Sequence, residues 1–216
     1  MNRADYGIHK LISIENITRT VFKLRFERNG LEFVPGQHIS VGPESLGYTR
    51  EYSVYSGAED PWLEVLVKEV IDGWVSPQLR RLQPGDGLMV EAPLGYFRVA
   101  ENATGKHLFV ATGTGIAPFH SFVRSYPDLD YHLIHGVTDA SEACEMNCYG
   151  NRITLCTSRA ADGDFQGRVT AWLEDNELDG FEHFYLCGNR KMINDAFQIL
   201  TRRGIKPDYI HAEAYF

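Results

Sequence analysis

The stretch His107-Leu-Phe-Val-Ala-Thr-Gly-Thr-Gly-Ile-Ala-Pro118 decides the fold. Leu108, Phe109 and Val110 make a short apolar run of the buried-strand type, the glycines interrupt it, and from Ile116 a helical spacing resumes. A strand that runs through glycines into a helix is the architecture of a phosphate site. Glycines let backbone approach a pyrophosphate closely, and the start of the helix presents unpaired N–H groups and a partial positive charge. The glycine spacing alone is a weak signal, because tight turns use the same residues.

Downstream, apolar strands at Leu108–Ala111, Tyr131–His135, Ile153–Cys156, His183–Cys187 and Tyr209–Ala212 alternate with helical patterns at Ala117–Ser125, Ser141–Asn147, Val169–Asp175 and Lys191–Arg203. This alternation predicts an α/β domain with a five-stranded parallel sheet. Upstream the pattern is strand after strand, at Gly7–Ile14, Val21–Glu27, Gln37–Val41, Glu51–Tyr55, Trp62–Val70 and Gly87–Glu91. Turn signals at Asn29-Gly30, Pro35-Gly36, Asp60-Pro61 and Pro84-Gly85 separate these strands, which predict a small antiparallel β-barrel. One helix interrupts it, with Ser76 as N-cap and Pro77 in the first helical position. A polar stretch at Val99–Lys106 marks the boundary, giving domains over 1–100 and 101–216.

The composition excludes several classes. Hydrophobic residues at 44% and charged residues at 23% describe an ordinary globular chain. No apolar run reaches the roughly 20 residues of a membrane span, and no signal peptide is evident, so the expected location is the cytoplasm. A net charge of −8 disfavours nucleic acid and anionic membranes as partners. Cys144, Cys148, Cys156 and Cys187 have no metal-ligand spacing, so no metal is expected.

Arg50-Glu51-Tyr52-Ser53, Gly73-Trp-Val-Ser76, the Gly-Thr-Gly-Ile-Ala-Pro string, Cys187-Gly-Asn189 and Glu213-Ala-Tyr-Phe216 follow one another along the chain. In that order they resemble the motifs of ferredoxin–NADP reductases, in particular the bacterial ferredoxin or flavodoxin reductases. The resemblance covers nearly the whole chain. Taken singly each residue has an ordinary explanation: Arg50 in a surface ion pair, Tyr52 in the core, Cys187 as a small apolar filler, Glu213 as a terminal charge.

The resemblance implies a flavin-binding barrel and an NADP-binding sheet. FAD is expected in a bent conformation, with FMN left open. Its contacts are expected from Arg50, Glu51, Tyr52 and Ser53, from the backbone of Leu66, Val67 and Lys68, from Trp74, Val75 and Ser76, and from Thr114, Tyr215 and Phe216. Thr112, Gly113, Cys187 and Gly188 are expected against NADP(H). Ser158, Arg159 and Arg168 are expected to grip its 2′-phosphate, a dianion suited to two guanidiniums and a hydroxyl. No acidic residue stands beside Ser158-Arg159 for a ribose diol, which favours NADPH over NADH.

Ser53, Cys187 and Glu213 are the expected catalytic residues. Tyr215 is the expected ring cover, on a C-terminal tail that returns to the flavin. Two departures from the family pattern are Thr138, where an arginine is common, and Arg190, where a proline commonly follows the asparagine. The expectation is thus a monomeric NADPH-dependent flavoenzyme that passes single electrons to ferredoxin or flavodoxin, with Arg80, Arg81, Arg202, Arg203 and Lys206 as a positive docking rim. The alternatives are a reductase component of an oxygenase system, a free-flavin reductase, and a non-catalytic NADPH-sensing module.

Overall fold

The computed structural model describes residues 6–100 and 104–215, so Phe216 lies outside the described residues. The chain divides into two compact units. One contains the described residues through Arg98 together with Ala117–Ser125; the other contains Val99–Ile116 and the described residues from Tyr126 onward.

The first unit is an antiparallel six-stranded sheet of β1 (Tyr6–Asn16), β2 (Val21–Glu27), β3 (His38–Pro43), β4 (Arg50–Ser53), β5 (Trp62–Lys68) and β6 (Gly87–Glu91), in the order β4-β3-β6-β1-β2-β5. An antiparallel bridge between Val54 and Val65 brings its two ends together, so the barrel is nearly closed. Strand β1 serves two neighbours: its first half pairs with β6 and its second with β2, with an irregularity between Leu11 and Ser13 where the strand changes partner. Inward residues such as Phe22, Leu24, Phe26, Ile39, Val41, Leu63, Val65 and Val67 alternate along the strands and form the core. Glu64, on the outward face of β5, is also buried because Arg25 Nε donates to it at 2.8 Å and Lys23 Nζ stands 3.8 Å away. With Leu66 also buried on that face, β5 reads as a continuous buried run instead of an alternating one.

Helix α1 (Ser76–Arg81) starts one residue earlier than the sequence suggests. Val75 is its N-cap, Ser76 and Pro77 fill the first turn, and no side chain caps the start. The Ser76 hydroxyl is used elsewhere, accepting the Val70 N–H at 3.0 Å. Helix α2 (Ala117–Ser125) groups with this first unit rather than with the sheet it follows in sequence. His120 donates from Nδ1 to the Tyr55 carbonyl at 2.7 Å and the Ser121 hydroxyl donates to the Ser56 carbonyl at 2.8 Å, which fastens the helix to the segment after β4.

The second unit is a parallel sheet of β7 (Lys106–Thr112), β8 (Tyr131–Val137), β9 (Ile153–Thr157), β10 (Phe165–Gln166), β11 (Phe181–Asn189) and β12 (Ile210–Tyr215), in the order β10-β9-β8-β7-β11-β12. It has six strands, not the expected five. The additional strand, β10, is two residues long and too short to show a period; it is held beside Cys156 and Thr157 of β9. Asp164 fixes its approach by accepting the Leu155 N–H at 2.8 Å. Helices α3 (Val169–Asp175) and α4 (Arg190–Arg202) cover one sheet face over a core that includes Leu108, Val110, Ile134, Phe184 and Leu186.

The helix expected over Ser141–Asn147 is replaced by two single turns, Ala140–Glu142 and Met146–Cys148. Glu145 adopts a left-handed conformation with φ 46°, which a continuing helix cannot contain. Among the described residues no helix is long and apolar enough to cross a membrane.

Candidate functional site

In the barrel, strand β4 pairs with β3 in four consecutive registers from His38↔Ser53 to Val41↔Arg50. The strand is therefore regular, and Tyr52 and Ser53 point to opposite faces. Ser53 is buried and Tyr52 rests half-buried against the barrel core. Burial pushes the Tyr52 phenol up to about 12, opposed in part by the nearby Arg50 charge, so the hydroxyl is a neutral donor at physiological pH. Glu51 is exposed, 4.0 Å from His38 Nε2.

Arg50 is exposed and donates from Nη1 to the neighbouring Thr49 carbonyl at 2.9 Å, which leaves the rest of its fork uncommitted among the described residues. Past the Val54–Val65 bridge, the edge of β5 at Leu66, Val67 and Lys68 has no strand partner opposite β2 among the described residues. Its backbone groups are available to a ligand chain. Trp74 is 70% exposed and meets Tyr48 edge-to-face, while Val75 and Ser76 lie buried at the uncapped start of α1. A free guanidinium, an open strand edge, an exposed indole and uncapped helical N–H groups fit an elongated phosphate-bearing cofactor such as a flavin dinucleotide.

In the second unit, Thr112 ends β7 and Gly113–Ile116 folds as a single turn, interlocked with Cys187-Gly188-Asn189 at the end of β11. A Cβ on Gly115 would sit 2.6 Å from the Gly188 Cα, and one on Gly188, whose φ is +128°, would sit 2.8 Å from the Thr112 carbonyl oxygen. Thr112 Oγ1 accepts the Asn189 N–H at 3.1 Å, and Asn189 Oδ1 accepts the Lys191 N–H at 2.9 Å as the N-cap of α4. These two glycines and the asparagine thus serve loop-on-loop packing. Gly113 differs. It is exposed, has φ +53°, and a Cβ there would touch nothing within 4 Å, leaving open space beside its backbone for a pyrophosphate.

Cys187 is fully buried, in register with Ala111 of β7 and Glu213 of β12. Burial, reinforced by the Glu213 charge, pushes its thiol well above the ordinary range against the opposing hydrogen bond from Tyr215. The sulfur is therefore an uncharged partner and not a thiolate nucleophile. Tyr215 is the last described residue of β12, paired with Asn189, so the chain end is hydrogen-bonded sheet as far as that residue rather than a free tail.

The arginines expected at the 2′-phosphate leave from adjacent strands. Ser158-Arg159 follows β9 and Gly167-Arg168 follows β10, and the register Gln166↔Thr157 puts both segments at the same end of the sheet. Both guanidiniums are exposed and neither has an ion-pair or hydrogen-bond partner among the described residues. Ser158 donates from its hydroxyl to the Val137 carbonyl at 3.2 Å. Thr138 occupies a fixed position, its N–H bonded to Glu142 Oε2 at 2.9 Å.

Residues 8–99 match the family model described as an oxidoreductase FAD-binding domain, and residues 109–198 match that of an oxidoreductase NAD-binding domain. The chain is 30% identical to a flavodoxin/ferredoxin–NADP reductase of Escherichia coli (strain K12), over 89% of this chain and 88% of that one. It belongs to the ferredoxin/flavodoxin–NADP reductase family.

A Pseudomonas putida toluate 1,2-dioxygenase electron transfer component is also 30% identical, over 87% of this chain and 60% of its own length. The reductase superposes on a ferredoxin NADP+ reductase from Neisseria gonorrhoeae with a TM-score of 0.86 at 24% identity, covering 99% of this chain and 100% of that one. It is a flavoprotein oxidoreductase with FAD-binding and NAD-binding domains.

The structure adds a residue of this reductase that the sequence did not mark. His135 is buried beneath the glycine turn, with Nε2 2.9 Å from the Gly113 carbonyl oxygen. Desolvation lowers its pKa to about 4 despite that bond and the more distant Glu142 charge, so the ring is neutral. A histidine among apolar strand residues carries no sequence signal for such a role; only the fold brings it under the turn.

Proposed function

We propose that this reductase transfers hydride between NADP(H) and FAD, and passes electrons singly between FAD and a ferredoxin or flavodoxin. The observation that carries the coenzyme assignment is the pair of exposed, unpartnered guanidiniums, Arg159 and Arg168, on adjacent strand ends. A 2′-phosphate would bring negative charge and bidentate acceptors to both, whereas a ribose diol brings no charge to either.

The flavin supplies the redox chemistry when bound, accepting two electrons and releasing them one at a time. Arg50 and the start of α1 would hold its phosphates, Tyr52 and Trp74 would pack against its flat parts, and the open edge of β5 would hydrogen-bond its connecting chain. Gly113 and Thr112 would receive the nicotinamide dinucleotide. Cys187 would present a small neutral surface to the nicotinamide, and Ser53 would offer a hydroxyl at the flavin. Glu213, beside the thiol in the sheet, would hold or release a proton there. Tyr215 would cover the ring face that nicotinamide must occupy, so its displacement would gate turnover. Phe216, also expected against the flavin, lies outside the described residues.

A second reading, the reductase component of an oxygenase system, is favoured by the similarity to the toluate dioxygenase component. It uses the same cofactor machinery with another acceptor.

An anaerobic titration tests the coenzyme assignment. Purified yellow protein should bleach faster with NADPH than with NADH, and Arg159→Ala with Arg168→Ala should cut the NADPH advantage by at least tenfold while leaving NADH little changed. Equal losses with both coenzymes would remove the 2′-phosphate role, and a colourless preparation that FAD does not reconstitute would overturn the flavoenzyme reading.

A further inference from the structure

His135 is an imidazole in a place where an apolar side chain would fit the strand pattern. It lies on β8 with 1% exposure, between buried Ile134 and half-buried Gly136. Among the described residues its hydrogen bond joins Nε2 to the Gly113 carbonyl oxygen at 2.9 Å, while Nδ1 is buried with no partner there. A carbonyl only accepts, so Nε2 must carry the proton and Nδ1 is left as a buried lone pair. An unsatisfied buried nitrogen costs about 1–3 kcal/mol, comparable with the gain from one neutral hydrogen bond. The ring is therefore a poor choice for stability alone, and the bond to Gly113 is what distinguishes it from a leucine or phenylalanine.

That bond fixes more than a carbonyl. The peptide linking Gly113 to Thr114 is trans, as are all peptides in the described chain. In a trans peptide the C=O and N–H point in opposite directions across one plane. The Gly113–Ile116 turn and the buried imidazole both hold the Gly113 oxygen, so the Thr114 N–H is turned the opposite way, toward the start of that turn. A single turn with glycine at 113 restrains this plane weakly, because no Cβ limits the backbone and the space beside it is open, so the imidazole adds a second hold.

We infer that His135 is a positioning residue that locks the Gly113–Thr114 peptide with its N–H toward the start of the turn, ready to donate to the pyrophosphate of the nicotinamide dinucleotide. This rests on the reading that the glycine turn receives that pyrophosphate. No contact of His135 with the ligand is involved; the imidazole acts through one peptide plane. Its neutrality matters as well, since an uncharged ring holds the same tautomer throughout the physiological range.

The test compares His135→Gln, whose side-chain amide can still donate near the Nε2 position, with His135→Leu, which cannot. Binding of NADP+ and of 2′-phospho-AMP, which has the 2′-phosphate but no pyrophosphate, is measured by perturbation of the flavin spectrum or calorimetry on the holoprotein. Expected is NADP+ binding about tenfold weaker in His135→Leu, within twofold of wild type in His135→Gln, and 2′-phospho-AMP binding unchanged in both. Equal NADP+ binding by all three proteins would overturn the role of His135, and so would equal weakening of both ligands in the leucine variant. If that variant does not fold, His135→Met, equally unable to donate, takes its place with the same expected and overturning results, and a tenfold loss of NADP+ affinity in a folded glutamine protein also overturns the donor argument. Wild-type protein that binds 2′-phospho-AMP but not NADP+ would instead remove the underlying reading of the turn.

Discussion

Cys187 shows how a motif residue can be legible in type and not in state. Its place after an apolar strand and before a glycine is visible in the sequence, and so is its competing explanation as a core filler. The structure shows its state: the thiol is fully buried, hydrogen-bonded by Tyr215, and kept protonated by burial beside Glu213. Reactivity toward alkylating reagents follows the thiolate fraction and exposure. Cys148 is exposed, whereas Cys144, Cys156 and Cys187 are buried, and burial also pushes the Cys156 thiol up to about 12. In native protein at pH 7.5, iodoacetamide should modify Cys148 at least tenfold faster than the other three, as read by peptide mass spectrometry. Labelling of Cys187 at a rate comparable to Cys148 would contradict the neutral buried thiol. The glycines divide in the same manner. Their presence in the turn is plain in the sequence, but that Gly115 and Gly188 serve packing while Gly113 faces open space required the tertiary contact between two strand ends.

Elements with a strong period were legible nearly to the residue. Strands β2 and β6 and helices α2 and α3 have the expected bounds, because alternation or helical spacing runs unbroken through them. Failures came where a single side chain or backbone angle overrides the pattern: the left-handed Glu145 splits the helix expected at Ser141–Asn147, and the Ser76 hydroxyl turns to Val70 instead of capping α1. Strand β12 was foreseen only as far as Ala212, because its continuation through Tyr215 is imposed by pairing with Gly188 and Asn189.

The parallel sheet also carries a feature no motif announced. Neighbouring strands β7, β11 and β12 bring His107, His183 and His211 together, with ring centroids 5.1 Å and 6.3 Å apart. Desolvation lowers the pKa of His107 and His211, and the neighbouring imidazoles lower them further, although Asp130 opposes this at His107. His132 is lowered by burial and by Lys106, and His135 reaches about 4. For a base whose folded pKa lies below the unfolded value near 6.5, the unfolded chain binds more protons between the two values. Stability is thus full above about pH 6.5 and falls as pH drops toward 4. His135 alone should cost about 2 kcal/mol on going from pH 7 to pH 5. Urea unfolding at the two pH values should show this loss, and His135→Gln should reduce it by about that amount; an identical pH dependence in the two proteins would refute the assignment.

At the scale of the whole chain, the sequence suggested a positive rim for an acidic electron carrier, built from Arg80, Arg81, Arg202, Arg203 and Lys206. Three of those charges have internal work. Arg80 pairs with Glu69 at 3.3 Å, Arg202 with Glu174 at 3.3 Å, and Arg203 donates to the carbonyls of Leu173 and Asn176 beside Glu177. Paired arginines contribute little to the field that a distant partner senses, so the net charge of −8 dominates long-range approach. Two anionic proteins repel each other more strongly at low salt, where the Debye length is about 30 Å at 0.01 M compared with about 8 Å at 0.15 M. Raising ionic strength across that range should therefore speed NADPH-driven reduction of an acidic ferredoxin or flavodoxin severalfold, and leave reduction of a neutral quinone nearly unchanged. A rate that falls with salt for the protein carrier alone would mean that a local positive patch steers docking against the overall charge. In that event, charge reversal at exposed Arg81 and Lys206 would be the next measurement, because neither carries an ion pair among the described residues.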